Sequence, residues 1–211
     1  MTPLQKHYEA LAASVIKGLE KRNMEGYYFA TSKEAVDHIM SLIPEGSSVS
    51  WGGSMTLAET GMMDALQNSS LTKIDRNNAA TPEEKKTLER QAFSADYFFM
   101  STNAITADGE LVNVDGNGNR VAALVYGPDH IMILAGMNKV AMDEDAAIKR
   151  VHTTAGPINT QRLNLNTPCS TAGVCKNCLS PDCICAHTVL TRYNRIPGRI
   201  KVFLIGESLG F

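Results

Sequence analysis

The chain has 211 residues, 44% of them hydrophobic and 20% charged, with 20 Lys+Arg against 22 Asp+Glu and a formal charge of −2. That length is ample for a sizeable buried core, and the balance is that of an ordinary globular protein. The near-neutral charge argues against a nucleic-acid or membrane-surface binder, and no apolar run approaches the roughly 18 residues that cross a bilayer.

Leu4, Tyr8, Leu11, Val15 and Leu19 recur at helical spacing among Lys6, Glu9, Lys17 and Glu20. This predicts an amphipathic N-terminal helix rather than a secretory signal. Residues 27–30 read as a short buried strand. Thr31 or Ser32 caps a helix over 33–43 that turns Ala35, Val36, Ile39, Met40 and Ile43 inward and ends at Pro44-Glu45-Gly46. A strand over 47–51, a glycine turn and a helix over 56–66 follow. Residues 71–75 form a further strand. Thr81-Pro82-Glu83-Glu84 then opens a helix to about Phe93, combining a cap, a first-turn proline and acidic residues near the positive helix end.

Residues 96–100 are an aromatic strand, and Ile105-Thr106 and Leu111-Val112-Asn113 flank Asp108-Gly109 as a hairpin. A helix over 120–126, a buried strand over 131–135 and a helix over 143–151 capped by Asp143 come next. The polar stretch 153–167, with Gly156-Pro157, reads as a linker, and 200–205 as a last strand returning to the main sheet. Helices alternating with short apolar strands predict an α/β layer fold with a mainly parallel sheet, a single domain over 1–211.

Several residues carry candidate chemistry. Gly52, Gly53, Ser54 and Thr56 lie at a strand's carboxyl end and open a helix. There the backbone N–H groups of a glycine turn, with an added hydroxyl, suit an anion; a tight turn with a helix cap is the plainer alternative. The turn is neither a Walker loop nor a dinucleotide fingerprint. Asp115 is a candidate acid or base, Arg120 a partner for a carboxylate or phosphate, and Asn119 a helix cap or ligand contact. Lys139, just beyond another strand's carboxyl end, can reach an anion, and Glu59 can face the same cleft one helical turn beyond the glycines. The five histidines show no metal-ligand pairing, and neither a nucleophile-elbow nor a zincin pattern is present.

All five cysteines fall between Cys169 and Cys185, at Cys169, Cys175, Cys178, Cys183 and Cys185. A disulfide framework would spread them through the chain, so the clustering points to a metal or redox site in a reducing cytoplasm. Cys-x-x-Cys thiolates with two further cysteines make a four-ligand set for Zn²⁺ or a [4Fe–4S] cluster, with Cys183 or Cys185 spare. A Cys175–Cys178 redox disulfide is the other option, and His187 a reserve ligand.

The stretches Trp51–Leu57, 95–96, 105–113, 116–122 and 195–202 together resemble the LUD-domain proteins, which include the lactate-utilization protein C group. The resemblance spans nearly the whole chain. It implies a three-layer α/β fold with a mainly parallel sheet, the NagB/RpiA/CoA-transferase-like fold of sugar-phosphate isomerases and CoA transferases. The cysteine segment, 168–187, would be an insertion before the last strand. It further implies an anionic ligand at Gly52–Thr56, oxidation of lactate or a similar organic acid, iron–sulfur partner subunits and self-association. Within the cysteine-bearing branch a basic residue usually stands where this chain has Cys183. The resemblance therefore implies Cys169, Cys175, Cys178 and Cys185 as the ligand set. An isomerase- or transferase-type enzyme on a phosphate or CoA ester with a structural metal is the alternative, and a non-catalytic assembly or sensor module a third.

Overall fold

A computed structural model describes all 211 residues. Threonines set four of the helix starts. Thr2 and Thr31 form reciprocal capping boxes with Gln5 and Glu34, opening α1 (Pro3–Lys21) and α2 (Ser32–Ser41). Thr81 and Thr167 cap α5 (Pro82–Gln91) and α9 (Pro168–Ala172), each with a proline in the first turn, where its missing N–H leaves no bond unmade.

Six strands make one parallel sheet in the order β1 (Glu25–Phe29), β10 (Ile200–Ile205), β7 (His130–Gly136), β4 (Tyr97–Met100), β2 (Ser48–Trp51), β3 (Thr72–Lys73). Side chains alternate across it. Phe98, Ile131, Ile133, Val202 and Leu204 pack toward α1 and α6 (Asn119–Tyr126) on one face. Phe99, Met132, Leu134 and Phe203 pack toward α2, α3 (Met55–Glu59) and α4 (Met62–Asn68) on the other. Two buried faces explain the near-continuous apolar runs of β4, β7 and β10, and they make the three layers expected from the sequence.

A second, four-stranded sheet has the order β8 (Val140–Ala141), β5 (Ala104–Thr106), β6 (Leu111–Asp115), β9 (His187–Thr191). The β5–β6 hairpin turns at Asp108-Gly109 as expected, with Gly109 at φ +88°. The turn docks on α1. A Cβ at Gly109 would fall on the backbone of Gly18 and Leu19, and Arg22 clamps the turn through Asp108 O at 2.8 Å and Glu110 at 2.9 Å. Gly109→Ala therefore combines a left-handed residue with a backbone clash. It is expected to cost about 2–4 kcal/mol, read as a lower urea midpoint at unchanged slope.

Three expectations change. The helix over 56–66 is broken into α3 and α4, because Gly61 takes φ +78°. The stretch read as a linker is helical as far as Arg162: α7 (Glu144–Arg150) passes through a π-turn over Val151–Ala155 into α8 (Gly156–Arg162), and only 163–167 connects. Gly156-Pro157 looks like a breaker, but Pro157 sits in the first turn of α8. In π register the carbonyl of His152 would pair with Pro157, which has no N–H; it accepts from the amide of Cys175 instead, at 3.0 Å. Finally, β9 intervenes between the cysteine segment and β10, and pairs antiparallel with β6.

Candidate functional site

The carboxyl ends of β2, β4 and β7 point into a cleft of about 630 Å³. Gly53 and Ser54 after β2, Ser101 after β4 and Lys139 after β7 line one side, and Val114 and Asp115 of β6 another. The π-turn and α8 supply Val151, Ala155, Asn159 and Arg162. The cysteine segment closes the remaining wall with Pro181, Asp182, Cys183, Ile184 and Cys185. It packs tightly between two glycines: a Cβ at Gly116 would lie 3.1 Å from Ile184 Cα, and one at Gly156 would lie 3.5 Å from Cys185 Sγ.

Arg120 organises the junction of the two sheets. Its Nε reaches Asp115 at 2.9 Å and its Nη2 the same carboxylate at 2.6 Å. The three remaining N–H groups are shared among Ser101 O, Asn113 Oδ1, Asn103 Oδ1 and Val114 O. The guanidinium thus spends its donors on the protein. The second oxygen of Asp115 accepts the amide of Val121, capping α6. Both therefore line the cleft while acting as its frame.

Gly52 is buried behind the cleft, where a Cβ would press on Arg120 Cδ at 3.0 Å. Ser54 caps α3 through Leu57 N, and Asn119 donates to Glu89, which also pairs with Arg76 beside Gly53. Glu59 is exposed and lies outside the cleft; its carboxylate accepts the amide of Gly210 at 2.6 Å. Thr56 lies beneath Lys139 rather than at the cleft surface.

Lys139 is only 3% exposed, with Nζ on Thr56 Oγ1 at 2.9 Å and Ser101 Oγ at 3.0 Å and no carboxylate in salt-bridge range. Burial first, then the charges of Arg150 and Arg120, bring its pKa down to about 7, against the weaker pull of Glu59. Ser101, Arg150, Arg76 and Arg162 carry no sequence signal of their own. Only their position at strand ends and on α7 and α8 brings them here.

The depressed lysine makes stability pH-dependent. Unfolded, Lys139 keeps its proton to about pH 10.5; folded, it loses it near 7, so the unfolded chain binds more protons between these values and stability rises with pH. In the metal-free protein the half-buried Cys185 thiol, raised from 9.0 to about 12, opposes this above pH 9. Between pH 7 and 9 the wild type is expected to gain roughly 2 kcal/mol that Lys139→Met does not, measured by urea midpoints at the two pH values.

The five thiols gather around Cys185. Burial and then the neighbouring thiols Cys183, Cys175, Cys169 and Cys178 oppose its ionisation. Cys169 is held below its ordinary value: burial works against ionisation, but the hydroxyls of Thr160 and Thr167 and nearby amides outweigh it. Asn177, at φ +49°, makes the tight Cys175–Cys178 turn and donates its amide to Cys175 Sγ at 3.3 Å; the Cys185 amide does the same for Cys183. Such a set suits a cation that would offset the mutual repulsion of thiolates. No three of these side chains, or of any His, Asp or Glu, converge to metal-ligand geometry.

The LUD domain family matches residues 12–205. The chain belongs to the LUD domain family. No curated protein matches it significantly. Among solved structures, a DUF162 family protein from Deinococcus radiodurans superimposes with a TM-score of 0.53 at 9% identity, covering 94% of this chain and 98% of that one. At that identity the likeness concerns the fold. The eIF2B-beta2-delta2 complex from C. thermophilum gives 0.39 at 16% identity over 82% of this chain and 55% of that one. The 5-methylthioribose 1-phosphate isomerase from Pyrococcus horikoshii OT3 gives 0.36 at 14% over 76% and 51%. Membership of the LUD domain family supports a function of the lactate-utilization type. No helix is long and apolar enough to cross a membrane.

Proposed function

We infer that this LUD-domain protein binds a small organic acid of the lactate type in the cleft. The cysteine segment holds a four-thiolate iron–sulfur or zinc centre against it, and the protein works with iron–sulfur redox subunits in a reducing cytoplasm. One observation carries the reading. The buried Lys139 amine, without a carboxylate partner, and the thiols Cys183 and Cys185 line the same cavity. Arg76, Lys85, Arg120 and Arg162 outweigh Glu89, Asp115 and Asp182 around it even without a charge on Lys139, so an anion entering gains net attraction.

Cys169, Cys175, Cys178 and Cys185 would hold the metal, which as an iron–sulfur cluster would supply one-electron chemistry. The protein's own part is to bind the acid, exclude water by the cysteine wall, and offer Lys139 to the ligand. Anaerobically purified protein is expected to be brown and to contain iron and sulfide, and Cys178→Ser to lose both colour and metal content. Stoichiometric zinc without iron would retire the electron-carrier role and leave a structural centre.

The size of the cleft favours a second reading, an isomerase- or transferase-type enzyme acting on a phosphate or CoA ester. A space of about 630 Å³ holds a ligand far larger than a three-carbon acid. Thermal shifts with lactate, a sugar phosphate and coenzyme A separate the two readings.

A further inference from the structure

The Nζ of Lys139 meets two hydroxyls whose own hydrogens are committed elsewhere. Thr56 Oγ1 donates to Leu209 O at 3.3 Å, and Ser101 Oγ donates to Thr102 O at 3.3 Å. Both oxygens therefore face the lysine with lone pairs. A neutral amine has two N–H groups and one lone pair. Here both N–H groups are accepted, at 2.9 and 3.0 Å, and the lone pair is left free. An ammonium in the same place keeps a third N–H that no protein atom accepts, a costly orphan in a residue 3% exposed. The nearby charges of Arg120 and Arg150 disfavour the ammonium further. Lys139 nevertheless borders the cleft, so the free position is one that a bound molecule can fill. An amine whose donors are satisfied and whose lone pair is open is a nucleophile held ready for a carbonyl carbon.

We propose that Lys139 captures the carbonyl of a 2-oxo acid as a reversible imine, the acid's carboxylate being balanced by the basic side of the cleft at Arg76, Lys85 and Arg162. This rests on the cleft being an organic-acid site and adds the substrate class and the covalent step. The amine nitrogen adds to the carbonyl carbon while one of its protons passes to the carbonyl oxygen, giving a carbinolamine. The carbon–oxygen bond then breaks, and the oxygen leaves as water with the second nitrogen proton. No oxidant or reductant is consumed. When protonated, the imine nitrogen retains one N–H, for which Thr56 and Ser101 are the acceptors in place. The neighbouring thiols of the cysteine wall would face the captured acid rather than the lysine.

The test treats the full-length protein with pyruvate or glyoxylate and sodium borohydride, followed by intact mass measurement and peptide mapping. The expected result is a single adduct, heavier than the protein by the oxo acid less one oxygen, on the peptide containing Lys139 and absent from Lys139→Arg. Lactate, which has no carbonyl carbon of this kind, is expected to raise the melting temperature without forming an adduct. A melting shift with pyruvate but no adduct overturns the imine and leaves the organic-acid cleft standing. Adducts spread over surface lysines, and equally present in Lys139→Arg, also overturn it. No shift with any acid and no adduct overturns both. Because the mapping is done on wild-type protein, a variant that fails to fold does not remove the test.

Discussion

Arg120→Met is expected to lower stability by about 3–5 kcal/mol, roughly 10 °C or more in melting temperature for a chain of this size. The guanidinium ties the end of β4 to β5 and β6 through Ser101, Asn103, Asn113, Val114 and Asp115. Removing it leaves the Asp115 carboxylate, 8% exposed, with only the Val121 amide as a hydrogen-bond donor. An uncompensated buried charge is among the costliest outcomes of a single substitution. Arg120→Lys is expected to recover little, since an ammonium cannot reproduce a planar fork that donates to acceptors at the ends of β4, β5 and β6. Adding Asp115→Asn to Arg120→Met is expected to recover part of the loss, because the amide oxygen can still accept from Val121 without carrying charge. Urea denaturation of the three variants measures this, and equal stability of Arg120→Met and wild type would remove Arg120 from its place as the frame of the cleft.

Lys139→Met is expected to do the reverse: to remove ligand binding while sparing the fold. Losing a buried hydrogen-bonding contact to a charged ligand costs about 1.5–3 kcal/mol of binding, a loss of roughly 10-fold or more, read by calorimetry with lactate and with a sugar phosphate as separate probes. The same change takes away a group whose charging is opposed by burial and by Arg150 and Arg120. Thr56 and Ser101 keep their own donations to Leu209 and Thr102. At pH 6 the variant should therefore be more stable than wild type. A residue that destabilises the empty protein yet strengthens the complex is the pattern of a functional site. Unchanged affinity for both probes would exclude Lys139 from ligand contact.

The elements legible in the sequence are those whose signals are local. Thr81-Pro82-Glu83-Glu84 and Asp143 start helices because a cap needs only neighbours within four residues, and the Asp108-Gly109 hairpin follows from one left-handed glycine. The central strands β4, β7 and β10 are visible as apolar runs because both faces of the sheet are covered. The strands missed are those without such a signal: β8 is two residues long, and β9 is an exposed edge strand that exists because β6 offers it a partner. The helical continuation through Gly156-Pro157 was hidden for a similar reason. Its register depends on Cys175 reaching back to His152, a contact across the fold.

The site divides along the same line. From the sequence come the residue types at strand ends, Gly53, Asn119, Arg120 and Lys139, and the confinement of every cysteine to one stretch. Their roles come from packing. Arg120 looks like a ligand contact until its donors are counted, and Glu59 looks like a cleft acid until its carboxylate is found on Gly210. Lys139 is one lysine among many until burial and two oriented hydroxyls distinguish it. Length, composition and charge described a globular chain with thiols crowded near one end. The sequence by itself determined the layered α/β class and the thiol cluster, because hydrophobic period, caps and spacing are properties of the chain. Only the tertiary structure decided that Cys183 and Cys185 wall the cleft that Lys139 lines. That depends on two close glycine approaches and on the degree to which one amine is removed from water, and neither is a property of any short stretch of sequence.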